Sequence, residues 1–142
     1  MKKTINVAKE HLNGIIKELD DKHWFCLGKS DASRTELFNF ALALGVKEGK
    51  PTPLSTNEGL IRSEYVDNYM YIYQGLYFNV FILHHPEKID QIVETDDVLN
   101  LAEEYANTGF YRLKELKEEF PDQEHFMAKL LNEIDRIQIS EQ

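Results

Sequence analysis

At 142 residues the chain has the size of one domain, and 42% apolar with 29% charged residues is the balance of a globular protein that needs no metal or disulfide to fold. Cys26 is the sole cysteine, which excludes an intrachain disulfide and any four-cysteine zinc site, and its apolar surroundings mark it as a small core residue. The formal charge is −9, and all of it comes from the second half: residues 1–71 hold ten basic and ten acidic side chains, residues 72–142 six and fifteen.

An acidic half of that kind repels a phosphate backbone, because nucleic-acid binding relies on Lys and Arg displacing counterions. It reads as solvated helix faces, or as a surface for a basic partner. The start, Met1 to Thr4, runs into polar residues rather than an apolar stretch, so no signal peptide is expected. The longest apolar run, Tyr69 to Leu83, is 15 residues and contains Gln74 and Asn79, short of the roughly 20 that a bilayer needs. A cytoplasmic location is expected.

Ile5, Ala8, Leu12, Ile15, Ile16 and Leu19 recur at helical spacing and predict a first helix over 5–19. Ser33-Arg34-Thr35-Glu36 fits a capping box opening a second helix, with Leu37, Phe38, Ala41, Leu42 and Leu44 as its apolar stripe and Gly45 or Gly49 as its end. Lys50-Pro51-Thr52-Pro53 must be extended, since each proline keeps its predecessor out of α geometry. Ser55-Thr56-Asn57-Glu58 offers another capping box before a run with seven aromatics, Tyr65, Tyr69, Tyr71, Tyr73, Tyr77, Phe78 and Phe81. That run predicts a helix apolar nearly all round, the kind found at a bundle centre or an oligomer seam. Its rival is a hairpin of Tyr69–Tyr73 and Leu76–Val80 turning at Gln74-Gly75, a weaker turn than Asn-Gly.

Pro86 suits the first turn of a short helix around Ile89, Ile92 and Val93. Thr95-Asp96-Asp97 caps the next, with Val98, Leu101, Ala102 and Tyr105 inward. Asn107-Thr108-Gly109 reads as a stop or a bend before Phe110, Leu113 and Leu116 resume. Pro121 opens a last helix with Phe126, Leu130, Ile134 and Ile137 as its seam. The fold expected is therefore all-α: one domain, 1–142, of five to seven helices around a central aromatic-rich helix at about 57–84, without a strand.

No histidine spacing fits a metal. His84 and His85 diverge by about 100° on a helix, while His11, His23 and His125 are isolated, so neither metal nor cofactor is expected. No phosphate-cradling loop, nucleotide fingerprint or nucleophile elbow is present. Arg34 and Arg62 precede apolar helices, and Glu103 and Tyr105 share the later one, so Arg34, Arg62, Glu103 and Tyr105 are the ligand-binding candidates should they converge on a pocket. Tyr65, Tyr69, Tyr73 and Tyr77 are the interface candidates, because a tyrosine ring is apolar while its hydroxyl can stay wet.

The function expected is a non-enzymatic helical interaction or regulatory protein, partnered by another protein or by itself as a homodimer. One alternative is an accessory of nucleic-acid transactions, through a basic face of Lys2, Lys3, Lys29, Arg34, Lys47, Lys50 and Arg62 or through acidic mimicry by the second half. The enzymatic alternative is a small hydrolase gathering Glu36, Glu64, Glu103 or Glu104 near the two arginines.

Overall fold

A computed structural model of the chain describes residues 4–21, 30–62, 70–88 and 94–140. Among these the architecture is mostly helical, with one small antiparallel sheet. Strand β1 is Thr4–Val7 and strand β2 is Glu58–Arg62. Helix α1 runs from α-helical Lys9–His11 through a π-helical turn, Leu12–Ile16, to α-helical Lys17–Asp21. Helix α2 is Ser30–Glu48, α3 is Met70–His84, α4 is Thr95–Glu119 and α5 is Gln123–Ser140; a 3₁₀ turn at Pro86–Lys88 follows α3.

The two strands correct the expectation that the chain holds no strand, within a fold that is otherwise helical as expected. Thr4-Ile5-Asn6-Val7 alternates outward and buried, and it is β-branched at three of four positions, which suits a half-buried strand better than a helix start. Ile5 and Ala8 share a helical spacing by coincidence, and Val7, at 2% exposure, is accounted for only by the two-residue period. The partner strand lies in the stretch read as a helix from 57. Thr4 faces Arg62, Ile5 faces Ile61, Asn6 faces Gly59 and Val7 faces Glu58, so Leu60 is the extra residue of a β-bulge. That bulge lets the consecutive Leu60 and Ile61 both be buried.

Two cap readings also shift. Helix α2 is already helical at Ser30, so Ser33 and Glu36 lie inside it rather than at its start. The Ser55–Glu58 box opens no helix, because Glu58 begins β2. The Thr56 hydroxyl oxygen instead accepts the Lys9 N–H at 2.7 Å and caps α1 across the fold. Helix α4 begins where expected and does not stop at Asn107-Thr108-Gly109. Asp122 caps α5, accepting from the Glu124 and His125 N–H groups. The 70–84 segment is helical, not a hairpin, while the short helix at 89–93 and Cys26 lie outside the described residues.

Gly45 and Gly109 explain a very close helix–helix approach. A Cβ on Gly45 would sit 1.8 Å from the Tyr105 carbonyl oxygen, and one on Gly109 would sit 1.6 Å from that of Ala41. Helices α2 and α4 therefore cross antiparallel with their backbones touching, a geometry only glycine permits. Gly49, at φ 76°, is the glycine that ends α2, its N–H donating to the Gly45 and Val46 carbonyls. Around the crossing, Phe38, Phe110, Phe126, Leu113 and Leu116 are fully enclosed. Phe110 and Leu113 lie past the glycine, so a helix that broke there would lose them from the core.

Candidate functional site

Two groups of polar side chains on α4 tie it to its neighbours. The first ties the N-terminal segments down. A two-stranded ladder leaves some N–H groups of β1 without a strand partner, and the Asn6 N–H donates to Glu103 Oε2 at 2.7 Å. One helical turn on, Asn107 Nδ2 donates to the carbonyls of Thr52 and Pro53, 3.1 and 3.2 Å away. Its Oδ1 must then face His11 Nε2, at 2.8 Å. An amide oxygen only accepts, so the neutral His11 carries its proton on Nε2. The Thr108 hydroxyl donates to the Lys50 carbonyl at 2.7 Å, and the Thr52 N–H donates to the Glu104 carbonyl at 3.0 Å. The extended Lys50–Pro53 segment is thus fastened along α4, which replaces the regular partners its prolines deny it.

His11 is 2% exposed, its ring tilted against Phe110 and edge-on to Tyr111. Burial pushes its imidazole below the ordinary 6.5, with Asn107 and Glu10 acting the other way and Lys114 acting with burial. The Tyr111 hydroxyl donates to Glu10, and that bond raises the phenol above its usual range.

The second group joins three helices. Arg112 of α4 forks onto Glu133 of α5 through Nε and Nη2, and onto Glu115 at 3.2 Å; Lys47 of α2 lies 4.0 Å from Glu133. Glu133 is 5% exposed. Burial alone raises its carboxyl, but Arg112 and then Lys47 outweigh that and hold it below its usual value. Arg112 is raised in turn, first through its hydrogen bonds to Glu133. A cleft of about 350 Å³ opens here, walled by Lys47, Thr52, Thr108, Tyr111, Arg112 and Glu133. Arg112, Lys47, Glu115 and Glu133 are engaged with one another there, an arrangement that braces α2, α4 and α5.

Of the ligand-binding candidates, Glu103 and Tyr105 serve different neighbours. Glu103 and Tyr105 are two residues apart on α4 and so point to different sides: Glu103 holds β1, while the Tyr105 hydroxyl hydrogen-bonds His84 Nδ1 of α3 at 2.9 Å. Burial raises the Tyr105 phenol. Arg34 is half-buried within α2, and Arg62 pairs with Thr4 in the sheet. Of the carboxylates named for hydrolysis, Glu36 is half-buried on α2, Glu103 and Glu104 are on α4, and Glu64 lies outside the described residues. Among the described residues, no three His, Cys, Asp or Glu side chains gather as a metal site. The residues that sequence reasoning missed are His11, Asn107 and Thr108. For Asn107 and Thr108 the visible signal is a stop motif followed at once by apolar residues in helical phase; His11 carries none.

The interface candidates divide as well. Tyr77 is 1% exposed, edge-on to Phe38 and donating to Asn39 Oδ1 at 2.8 Å, so it belongs to the core of this chain rather than to a surface. Tyr73 is part of α3, and Tyr65 and Tyr69 lie outside the described residues. Beside Tyr77, Val80 and Phe81 also face inward, whereas Phe78 and Leu83 are 39% and 69% exposed. No described helix is long and apolar enough to cross a membrane. No family model matches the chain, nor does any curated protein or solved structure.

Proposed function

We propose that the protein is a helical interaction module that self-associates through the outward side of α3, the aromatic-rich helix acting as a spine completed by a second copy. The observation behind this reading is the pair Phe78 and Leu83, large apolar side chains exposed on a helix whose other side already fills the core. A twofold contact places the same surface on both copies, so the outward side of one helix serves itself, with Phe78 and Leu83 flanking Asn79. Tyr65, Tyr69 and Tyr73, on the stretch leading into that face, extend the same proposal. Tyr77 supports it from beneath by locking α3 onto α2 through Asn39.

Sedimentation velocity across a wide concentration range tests it. The wild type is expected to show a concentration-dependent dimer and Leu83→Glu a monomer of unchanged fold. A wild type that stays monomeric at the highest concentration removes self-association.

A further inference from the structure

Gly14, Gly45 and Gly109 all lie within helices, and the chain treats them differently. Gly45 and Gly109 each receive a carbonyl of the opposing helix where a Cβ would be. Gly14 is exposed, and a Cβ there would meet no described atom within 4 Å. A glycine inside a helix is unfavourable relative to alanine, and no internal packing calls for this one. It also sits in the π-helical turn Leu12–Ile16, a form rare in proteins and frequent at functional sites. Both departures from a good helix fall on one wall of a cleft of about 520 Å³ between α1 and the end of α4.

The chemistry of that cleft narrows its occupant. Asn13, beside Gly14, presents an exposed amide with two donors and an acceptor, the complement of a peptide group. The charged walls are Glu18, Lys114, Lys117 and Glu118, which sum to zero in a chain of net charge −9. Lys117 is nearly enclosed, donating to the Pro121 carbonyl at 3.1 Å and lying 3.3 Å from Glu18. Lys114 and Glu118, four residues apart on α4, are exposed at the rim. A polyanion gains little from such a balance, whereas a chain bearing one charge of each sign gains at both places.

We propose that this cleft binds a short segment of another protein, its backbone seated over Gly14 and paired with the Asn13 amide, an acidic side chain toward Lys114 and a basic one toward Glu118. The site is separate from the α3 face and does not depend on self-association. Random dodecapeptides displayed on phage are selected on the wild-type protein, and the enriched sequences are synthesised and titrated by fluorescence anisotropy. Gly14→Leu is expected to remain folded, with a melting temperature no lower than the wild type, and to bind these peptides at least about tenfold more weakly. Lys114→Glu is expected to weaken them too, with binding restored by peptides whose acidic residue is changed to Lys. Selection that enriches no binder, or binders that hold Gly14→Leu as tightly as the wild type, overturns the proposal. An unfolded Gly14→Leu overturns its premise of open space. Peptides lost on Leu83→Glu but kept on Gly14→Leu mark the α3 face instead, which sinks this site and leaves the self-association reading intact.

Discussion

Helix α4 is held in two contrasting ways. At its crossing with α2 it is held by shape, two carbonyls seated where two side chains are missing. Against β1, α1 and the Lys50–Pro53 segment it is held by hydrogen bonds from Glu103, Asn107 and Thr108. The contrast teaches that backbone contact tolerates no added atom yet ignores pH, while a buried polar seam tolerates volume changes but not the loss of a partner or the gain of a charge.

The sharpest way to break that contrast is at the glycines. Gly109→Ala and Gly45→Ala are each expected to cost about 3 kcal/mol or more, read from urea unfolding, because neither backbone can retreat without opening the core. A cost of a few tenths would mean that the helices slide apart freely. Next comes Arg112→Ala, which strands the enclosed Glu133 carboxylate with Lys47 and Lys129 as its remaining cations; a loss of about 3 kcal/mol is expected. Asn107→Leu leaves the His11 N–H and the Thr52 and Pro53 carbonyls without it, and about 2 kcal/mol should be lost at neutral pH.

A smaller effect separates the two modes by acidity. His11 titrates lower in the folded chain than its ordinary 6.5, so the unfolded chain takes up the proton first. The stability this neutral imidazole contributes is present above about 6.5 and is lost as pH falls through its lowered value. His11→Gln should flatten that part of the pH profile, measured by urea midpoints, while Gly109→Ala should leave the slope unchanged. The groups facing the ring, Glu10, Lys114, Asn107 and Tyr111, are all present in both comparisons. Smallest of all, Gly14→Ala should raise stability by about 0.5–1 kcal/mol, since the added methyl meets open space and the unfolded chain loses freedom.

Much of the helical scaffold was legible because long apolar stripes carry their own phase. Val98, Leu101, Ala102 and Tyr105 mark the inward side of α4, and all four are buried. The strands were not legible, because β1 and β2 are four and five residues long and meet across more than fifty residues of chain. Gly45 and Gly109 were ambiguous for a related reason: glycine signals a helix end when nothing else is known, and a close crossing only when the opposing backbone is in view. Asn107 and Thr108 likewise read as stop residues until the segment they fasten is placed beside them. Of the candidate site, the residue types were visible in advance but their grouping was not, since two positions on one helix can serve opposite neighbours.

The reach of the α4 seam bears on how the protein is made. Asn6 waits for a carboxylate 97 residues further along, and His11 for an amide 96 further. At roughly 5–20 residues per second of synthesis, the first strand leaves the ribosome many seconds before its anchor exists. β1 can pair with β2 once residue 62 has been made, whereas the side-chain seam with α4 closes only after about forty more residues, so the sheet can precede the helix that anchors it.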